Sequence, residues 1–247
     1  TFETPQGIER VHVRSGVDGQ AMVVFVGDEP TPPPLEVDLP GVSLVYVGPG
    51  KPYVLAGHSY LFQRVKGRLF RVSANAFFQV NLGVAEALID HLLQALPWSS
   101  EMTLLEVYSG GGLFTAFLAP RVGRVIAVEA DPWAVADFEY NLAEADNVEL
   151  YEDAAERALP YLREQGERVD VALVDPPRAG LAREVVRALI DLAPEWIVYV
   201  SCHPATMARD GHQLVRGGYR LVRALPFDMF PQTYHIESLS LWRRTSQ

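Results

Sequence analysis

The chain has 247 residues, 49% of them hydrophobic and 21% charged, with 31 Asp plus Glu against 21 Lys plus Arg for a formal net charge of −10. That length and apolar content allow one large domain or two smaller ones around a sizeable core and exclude a disordered chain. The acidic balance argues against a protein that coats duplex nucleic acid through a broad basic face.

The acidity is uneven: residues 1–97 carry 9 acids and 7 bases, residues 98–247 carry 22 acids and 14 bases. Nucleic acid therefore requires a local basic cluster, and Arg10, Arg14, Arg64, Lys66, Arg68 and Arg71 in the front part are the candidates, although a solvated face explains such a cluster equally well. Short β-branched or aromatic runs at Glu9 to Arg14, Ala21 to Val26, Ser43 to Val47 and Tyr60 to Val72 alternate with turn clusters, Asp18-Gly19, Gly27-Asp28 and the run Pro30-Thr31-Pro32-Pro33-Pro34. They predict a small antiparallel β domain with hairpins over residues 1–73 and no βαβ unit.

The pattern changes at Ser73. Leu82 to Leu96 has apolar residues at helical spacing and is closed by Pro97. Strands then alternate with helices: Thr103 to Tyr108 and Phe114 to Ala119, Val125 to Val128 and Trp133 to Ala143, Val148 to Tyr151 and Ala154 to Glu164, Val169 to Val174 and Leu181 to Leu192, Trp196 to Val200 and Ala205 to Val215. Arg220 to Leu225 and Ile236 to Trp242, with no long helix between them, read as a closing hairpin. Residues 74–247 thus predict an α/β domain, a doubly wound Rossmann-like parallel sheet.

Chemistry collects at the carboxyl ends of those strands, where open α/β sheets bind ligands. Tyr108-Ser109-Gly110-Gly111-Gly112 follows the first strand and permits close backbone approach, although by itself it is equally a plain tight turn. Glu129 ends the second strand 17 residues after Gly112, a spacing that suits a carboxylate on ribose hydroxyls. Asp153 and Asp175 end the third and fourth. The turn lacks the third glycine of the dinucleotide fingerprint and the lysine of a phosphate-binding loop, and the acids suit a positively charged adenosine ligand such as S-adenosylmethionine better than NAD.

Cys202, the only cysteine, ends the strand that starts at Trp196. It cannot form an internal disulfide, and it is either a small buried hydrophobe or a nucleophile. Pro204 suits the first turn of the helix that follows, so the dipole of that helix predicts a lowered thiol pKa. Cysteine usage and the lack of a signal pattern or a membrane-length apolar run fit the cytoplasm, and Thr1 in place of Met marks a trimmed or excised piece. His203 and His235 are isolated, and no Cys, His and Asp cluster has metal spacing.

Five segments together, in order and spacing, resemble the RNA uracil-C5 methyltransferases, which make 5-methyluridine in tRNA and ribosomal RNA. They are Phe77-Phe78-Gln79-Val80-Asn81, Glu106-Val107-Tyr108-Ser109-Gly110-Gly111-Gly112, Asp175-Pro176-Pro177-Arg178-Ala179-Gly180-Leu181, Ser201-Cys202-His203-Pro204 with Ala208-Arg209-Asp210, and His235-Ile236-Glu237. The resemblance runs from about Ser73 onward and implies a class I methyltransferase sheet. It implies S-adenosylmethionine contacts at Gln79, Tyr108, Gly110, Leu113, Glu129, Asp153 and Asp175, a nucleophile at Cys202 and a general base at Glu237. Phe78, Asn81 and Arg178 are expected to line the pocket or approach the RNA.

In that chemistry a thiolate adds to uracil C6, C5 becomes nucleophilic enough to take a methyl group, and a carboxylate then removes the C5 proton. Four positions depart from the family pattern: Glu106 for Asp, Ser109 for Cys, Leu113 for a polar residue and His203 for Asn. The family's front RNA-binding barrel has no counterpart here, and a single Cys cannot hold the iron–sulfur cluster of many members. Two further readings stay open, a cofactor-binding RNA-folding protein with weakened catalysis and a methyltransferase with another acceptor.

Overall fold

The computed structural model describes residues 7–35 and 39–245, which fall into two compact units, Thr1–Phe78 and Gln79–Gln247. In the first unit β1 (Arg10–Ser15), β2 (Ala21–Val26), β3 (Ser43–Val47) and β4 (Tyr53–Ala56) form a four-stranded sheet in that order. β5 (Tyr60–Val65) and β6 (Arg68–Ser73) form a separate hairpin.

Alternation along β2 serves both faces of its sheet. Met22 and Val24 pack with Val45, Leu61 and Val72, while Phe25 packs with Ile8, Leu44 and Tyr46. The first unit departs from the sequence reading in three ways. The β2–β3 pair is parallel, because the long Pro-rich connection brings the chain back for a crossover instead of a hairpin. β4, a short exposed strand, was not expected from its pattern. The run Tyr60 to Val72 is two strands, turned at Lys66 and Gly67, both at positive φ (46° and 81°).

Members of the front basic cluster are engaged within their own unit. Arg14 Nη1 donates to the Ser73 and Ala76 carbonyls at 3.1 and 2.9 Å, and the Arg71 guanidinium lies 4.9 Å over the Tyr60 ring.

The second unit is the doubly wound sheet. Its strands are β7 (Thr103–Val107), β8 (Arg124–Glu129), β9 (Val148–Glu152), β10 (Val171–Val174), β11 (Trp196–Ser201), β12 (Tyr219–Phe227) and β13 (Glu237–Arg244), in the order β12-β13-β11-β10-β7-β8-β9. All pairings are parallel except those of β13, which lies antiparallel between β11 and β12.

The helices are α1 (Leu82–Ala95), α2 (Thr115–Leu118), α3 (Pro132–Asn141), α4 (Ala155–Glu164), α5 (Arg183–Leu192) and α6 (Pro204–Arg216). Residues Ala85, Leu88, Ile89 and Leu92 make the buried stripe of α1 at the spacing of one helical face. α2 is one turn, shorter than its expected run, and passes into a 3-10 turn at Ala119–Arg121 in which Pro120 cannot donate a helical hydrogen bond. The strand order reverses between β7 and β10, so the carboxyl ends of those two strands flank the crevice where such sheets take ligands. Among the described residues no helix is long and apolar enough to cross a membrane.

Candidate functional site

The loop after β7 is shaped by backbone that side chains resist. Tyr108, Gly110 and Gly112 have φ of 63°, 54° and 82°, and a Cβ on Gly112 would stand 2.4 Å from Leu142 Cδ2 of the turn after α3. Tyr108 and Ser109 both donate their N–H to the Val128 carbonyl, and Asn141 Nδ2 donates to the Gly111 carbonyl at 2.9 Å. Glu129, closing β8, locks the turn: Oε2 accepts from Gly110 N and Oε1 from Ala130 N and Asp131 N, each at 2.8 Å. A carboxylate has about four lone-pair sites, so three N–H partners leave room for a ligand hydroxyl.

Acidic groups line the ends of the neighbouring strands. Glu106 of β7 is buried; its Oε2 accepts from Thr115 Oγ1 at 2.5 Å, its Oε1 has no partner, and burial pushes its pKa up to about 8. Asp175, just past β10, is held well above the usual carboxylate range, first by burial and then by the Glu237 and Glu106 charges. Glu237, the first residue of β13, is 4% exposed; its Oε1 also lacks a partner, and burial pushes it up to about 7.

Cys202 meets these acids. It is half-buried and follows β11 directly, and because Ser201 pairs with Ser238 in the antiparallel ladder, its position comes next against Glu237. Burial raises its pKa, the Glu237 and Asp175 charges raise it further, and the Arg178 charge pulls the other way. This overturns the expectation of a lowered thiol pKa. Cys202 precedes the N-cap of α6, where His203 Nδ1 accepts from Thr206 N at 3.3 Å, and the two carboxyl groups it faces come from distant parts of the chain.

One residue that the sequence reading gave no role organises the site from below. Asp210 of α6 is fully buried and accepts from Leu181 N at 2.8 Å, Tyr199 OH at 2.9 Å and Arg209 Nε at 2.9 Å. It thereby fixes the Asp175 to Leu181 loop to β11 and α6. Gly180 crosses it at φ 77° with no room for a Cβ, which would lie 2.6 Å from Asp210 Oδ2. The signal was present: an Asp in the middle of an otherwise amphipathic helix.

Each of the remaining candidates has contacts of its own. Asp153 forms an ion pair with Arg157 four residues on, at the turn into α4. Leu113 is 7% exposed and belongs to the core. Asn81 Oδ1 caps α1 by accepting from Val84 N at 3.2 Å, and Gln79 lies two residues ahead of that cap. Phe78 packs into the front unit against Phe70, with ring centroids 5.9 Å apart. Arg178 does reach the Cys202 neighbourhood and lies 2.7 Å from His235 Nδ1. Among the described residues no group of three or more His, Cys, Asp or Glu side chains could hold a metal ion.

With this geometry in view, similarity to known proteins is informative. Residues 57–245 match the family model described as tRNA (uracil-5-)-methyltransferase. An uncharacterized RNA methyltransferase of Caldanaerobacter subterraneus subsp. tengcongensis is 38% identical over 196 residues, covering 78% of this chain and 43% of its own length. One from Streptomyces avermitilis is 34% identical over 244 residues, 95% of this chain and 55% of its own. The chain thus spans about half the length of these curated relatives. The crystal structure of Pyrococcus abyssi tRNA (uracil-54, C5)-methyltransferase in complex with S-adenosyl-L-homocysteine superposes with a TM-score of 0.72 at 26% identity, covering 96% of this chain and 60% of that one. M. jannaschii TYW2 in complex with AdoMet, at 15% identity and a TM-score of 0.53, shares the fold.

Proposed function

The chain belongs to the tRNA (uracil-5-)-methyltransferase family, and from that premise we propose that it methylates C5 of a uridine in RNA, tRNA before ribosomal RNA, with S-adenosylmethionine as methyl donor. The observation that carries the reading is the half-buried Cys202 set against the buried Glu237 carboxyl, whose Oε1 has no partner. The acid-lined crevice fits the donor: the Gly110 to Gly112 backbone leaves a surface free of side chains, and Glu106 Oε1 is a buried acceptor without a partner. Tyr108, Gly110, Glu129 and Asp175 would hold it, with Gln79, Leu113 and Asp153 as outer candidates. When bound, it supplies an electrophilic methyl group on a positively charged sulfur.

The residues of the chain divide the work. Cys202 Sγ, as thiolate, bonds to uracil C6, and the electron pair displaced from the C5–C6 double bond makes C5 the carbon nucleophile that takes the methyl group. Glu237 then accepts the C5 proton, the double bond re-forms, and the C6–S bond breaks to return the thiolate. Arg178, the cationic group that acts on Cys202, favours that thiolate. A target uridine held in a stack has to be flipped out first.

Digestion of RNA treated with the chain and a methyl-labelled donor, followed by nucleoside mass analysis, tests the reading. Label in 5-methyluridine is the expected result; label in any other nucleoside, or none across tRNA and ribosomal RNA, rejects it. The pH dependence is a further expected outcome. Both groups must lose a proton to act, and both have raised pKa values, Glu237 at about 7. Methyl transfer precedes the step that Glu237 serves, so kcat/KM should rise with pH at a logarithmic slope near one, set by the thiol, while release of methylated RNA in a single turnover should also rise through about pH 7 as Glu237 loses its proton. Measured rates that stay flat between about pH 6 and 8 would contradict the assignment of these two groups.

A further inference from the structure

The loop between β12 and β13 carries three aromatic rings immediately ahead of Glu237. The Tyr234 ring lies 4.1 Å from the His235 ring, centroid to centroid, at an interplanar angle of 54°. Phe230 also meets His235, edge-on at 6.0 Å and 79°. His235 is in turn held by Arg178 Nη2, 2.7 Å from its Nδ1 and 3.2 Å from its Nε2. Arg178 also acts electrostatically on Cys202. The rings therefore connect to both reacting groups, through the chain to Glu237 and through Arg178 to Cys202.

The loop is preformed rather than slack. Thr233 N and Oγ1 both donate to the Phe230 carbonyl, at 3.1 and 2.8 Å, and His235 N donates to Thr233 Oγ1 at 3.1 Å. Gln232 sits at φ 65°, a left-handed conformation that non-glycine residues seldom adopt. Tyr234, the outer member, is 89% exposed. Single exposed apolar residues are ordinary. A ring supported by His235 and set three residues ahead of the proposed base is a different object, a flat surface that a planar π system fits.

We propose that Tyr234 is a stacking platform for an unpaired nucleobase next to the uridine that Cys202 attacks, with His235, Phe230 and Arg178 as positioning residues for its ring. The proposal rests on the RNA reading given above. Single-stranded RNA is recognised chiefly by splaying bases onto aromatic side chains, and stacking of this kind tolerates any base. It also suits a chain with a net charge of −10, whose overall field repels phosphates and which gains from contacts that do not depend on charge.

The test uses whichever RNA the wild-type chain methylates, with 2-aminopurine placed in turn on each side of the target uridine. Stacking on Tyr234 should quench one of the two positions. Tyr234→Ala should remove that quenching and weaken RNA binding by about 5- to 150-fold, the usual range for one stacked base, with S-adenosylmethionine binding unchanged. Tyr234→Phe should keep both quenching and affinity, because the ring and not the hydroxyl carries the contact. The salt dependence of binding should be equal in all three proteins, since a lost phosphate contact would lower the slope by about one. Quenching and affinity retained in Tyr234→Ala, or a reduced salt slope in both variants, overturns the platform while leaving methylation intact. A wild-type chain that neither binds nor methylates RNA overturns both readings.

Discussion

Replacing Cys202 by alanine is expected to lower methyl transfer on the order of 10⁴-fold or more, the scale seen when a covalent nucleophile is removed, and to abolish any covalent complex with RNA. Glu237→Gln is expected to lower turnover roughly 10²- to 10⁴-fold, the range for loss of a general base, and to have the opposite effect on the complex. In the proposed mechanism addition to C6 and methylation at C5 precede the step that Glu237 serves, so the adduct should accumulate on ordinary uridine and survive denaturation. Both variants keep the local packing, because Cys202 lies beyond β11 and Gln preserves the shape of Glu237. The measurement is the mass of the protein after denaturation in the presence of RNA and donor. Full turnover by Glu237→Gln would move the base to another group, and Asp175, the second carboxyl acting on Cys202, would be the one to examine.

Asp210→Ala is expected to destabilise the fold by about 3–5 kcal/mol, the usual effect of removing one partner from a buried charged network. Not all of its bonds contribute equally. The Arg209 side chain is 52% exposed, so its ion pair with Asp210 is screened and adds little. The larger part comes from Leu181 N and Tyr199 OH, which are buried and would be left with an apolar methyl group opposite them. The urea midpoint of unfolding reads the loss directly. Because Asp210 holds the Asp175 to Leu181 loop, donor affinity should fall as well, and Asp210→Asn, which keeps one acceptor oxygen, should lose less of both. A stability change below about 1 kcal/mol would show that the loop is held by other contacts.

What could be read ahead of the structure depended on distance along the chain. Helical spacing gave α1 to within a residue at its end, and alternation of strand and helix gave the sheet of the second unit. The thiol was misread because the dipole argument is local, whereas Asp175 and Glu237 reach Cys202 from 27 and 35 positions away. The place of Asp210 within an amphipathic helix marks it, but its partners are not legible, since the donors from Leu181 and Tyr199 converge on it only after folding. Phe78 shows a different limit. An aromatic residue beside a motif carries no mark of which core it joins, and only the structure shows that Phe78 packs against the front unit, which leaves its expected role toward RNA open to test. The β5–β6 turn is legible: Lys66-Gly67 between two runs of alternating apolar and polar residues is a hairpin signal.

β13 follows β12 in the chain, yet it lies between β12 and β11. During synthesis the exposed edge of β11 therefore waits for a strand not yet made, and β12 has no neighbour to join until that strand emerges. Glu237 arrives on the same strand. On the proposed mechanism, a ribosome-bound chain that already displays Cys202 would have no acceptor for the C5 proton, and any RNA it captured would stay attached. One strand, β13, thus both closes the sheet and delivers the proposed base, so that Cys202 and Glu237 would come into service together.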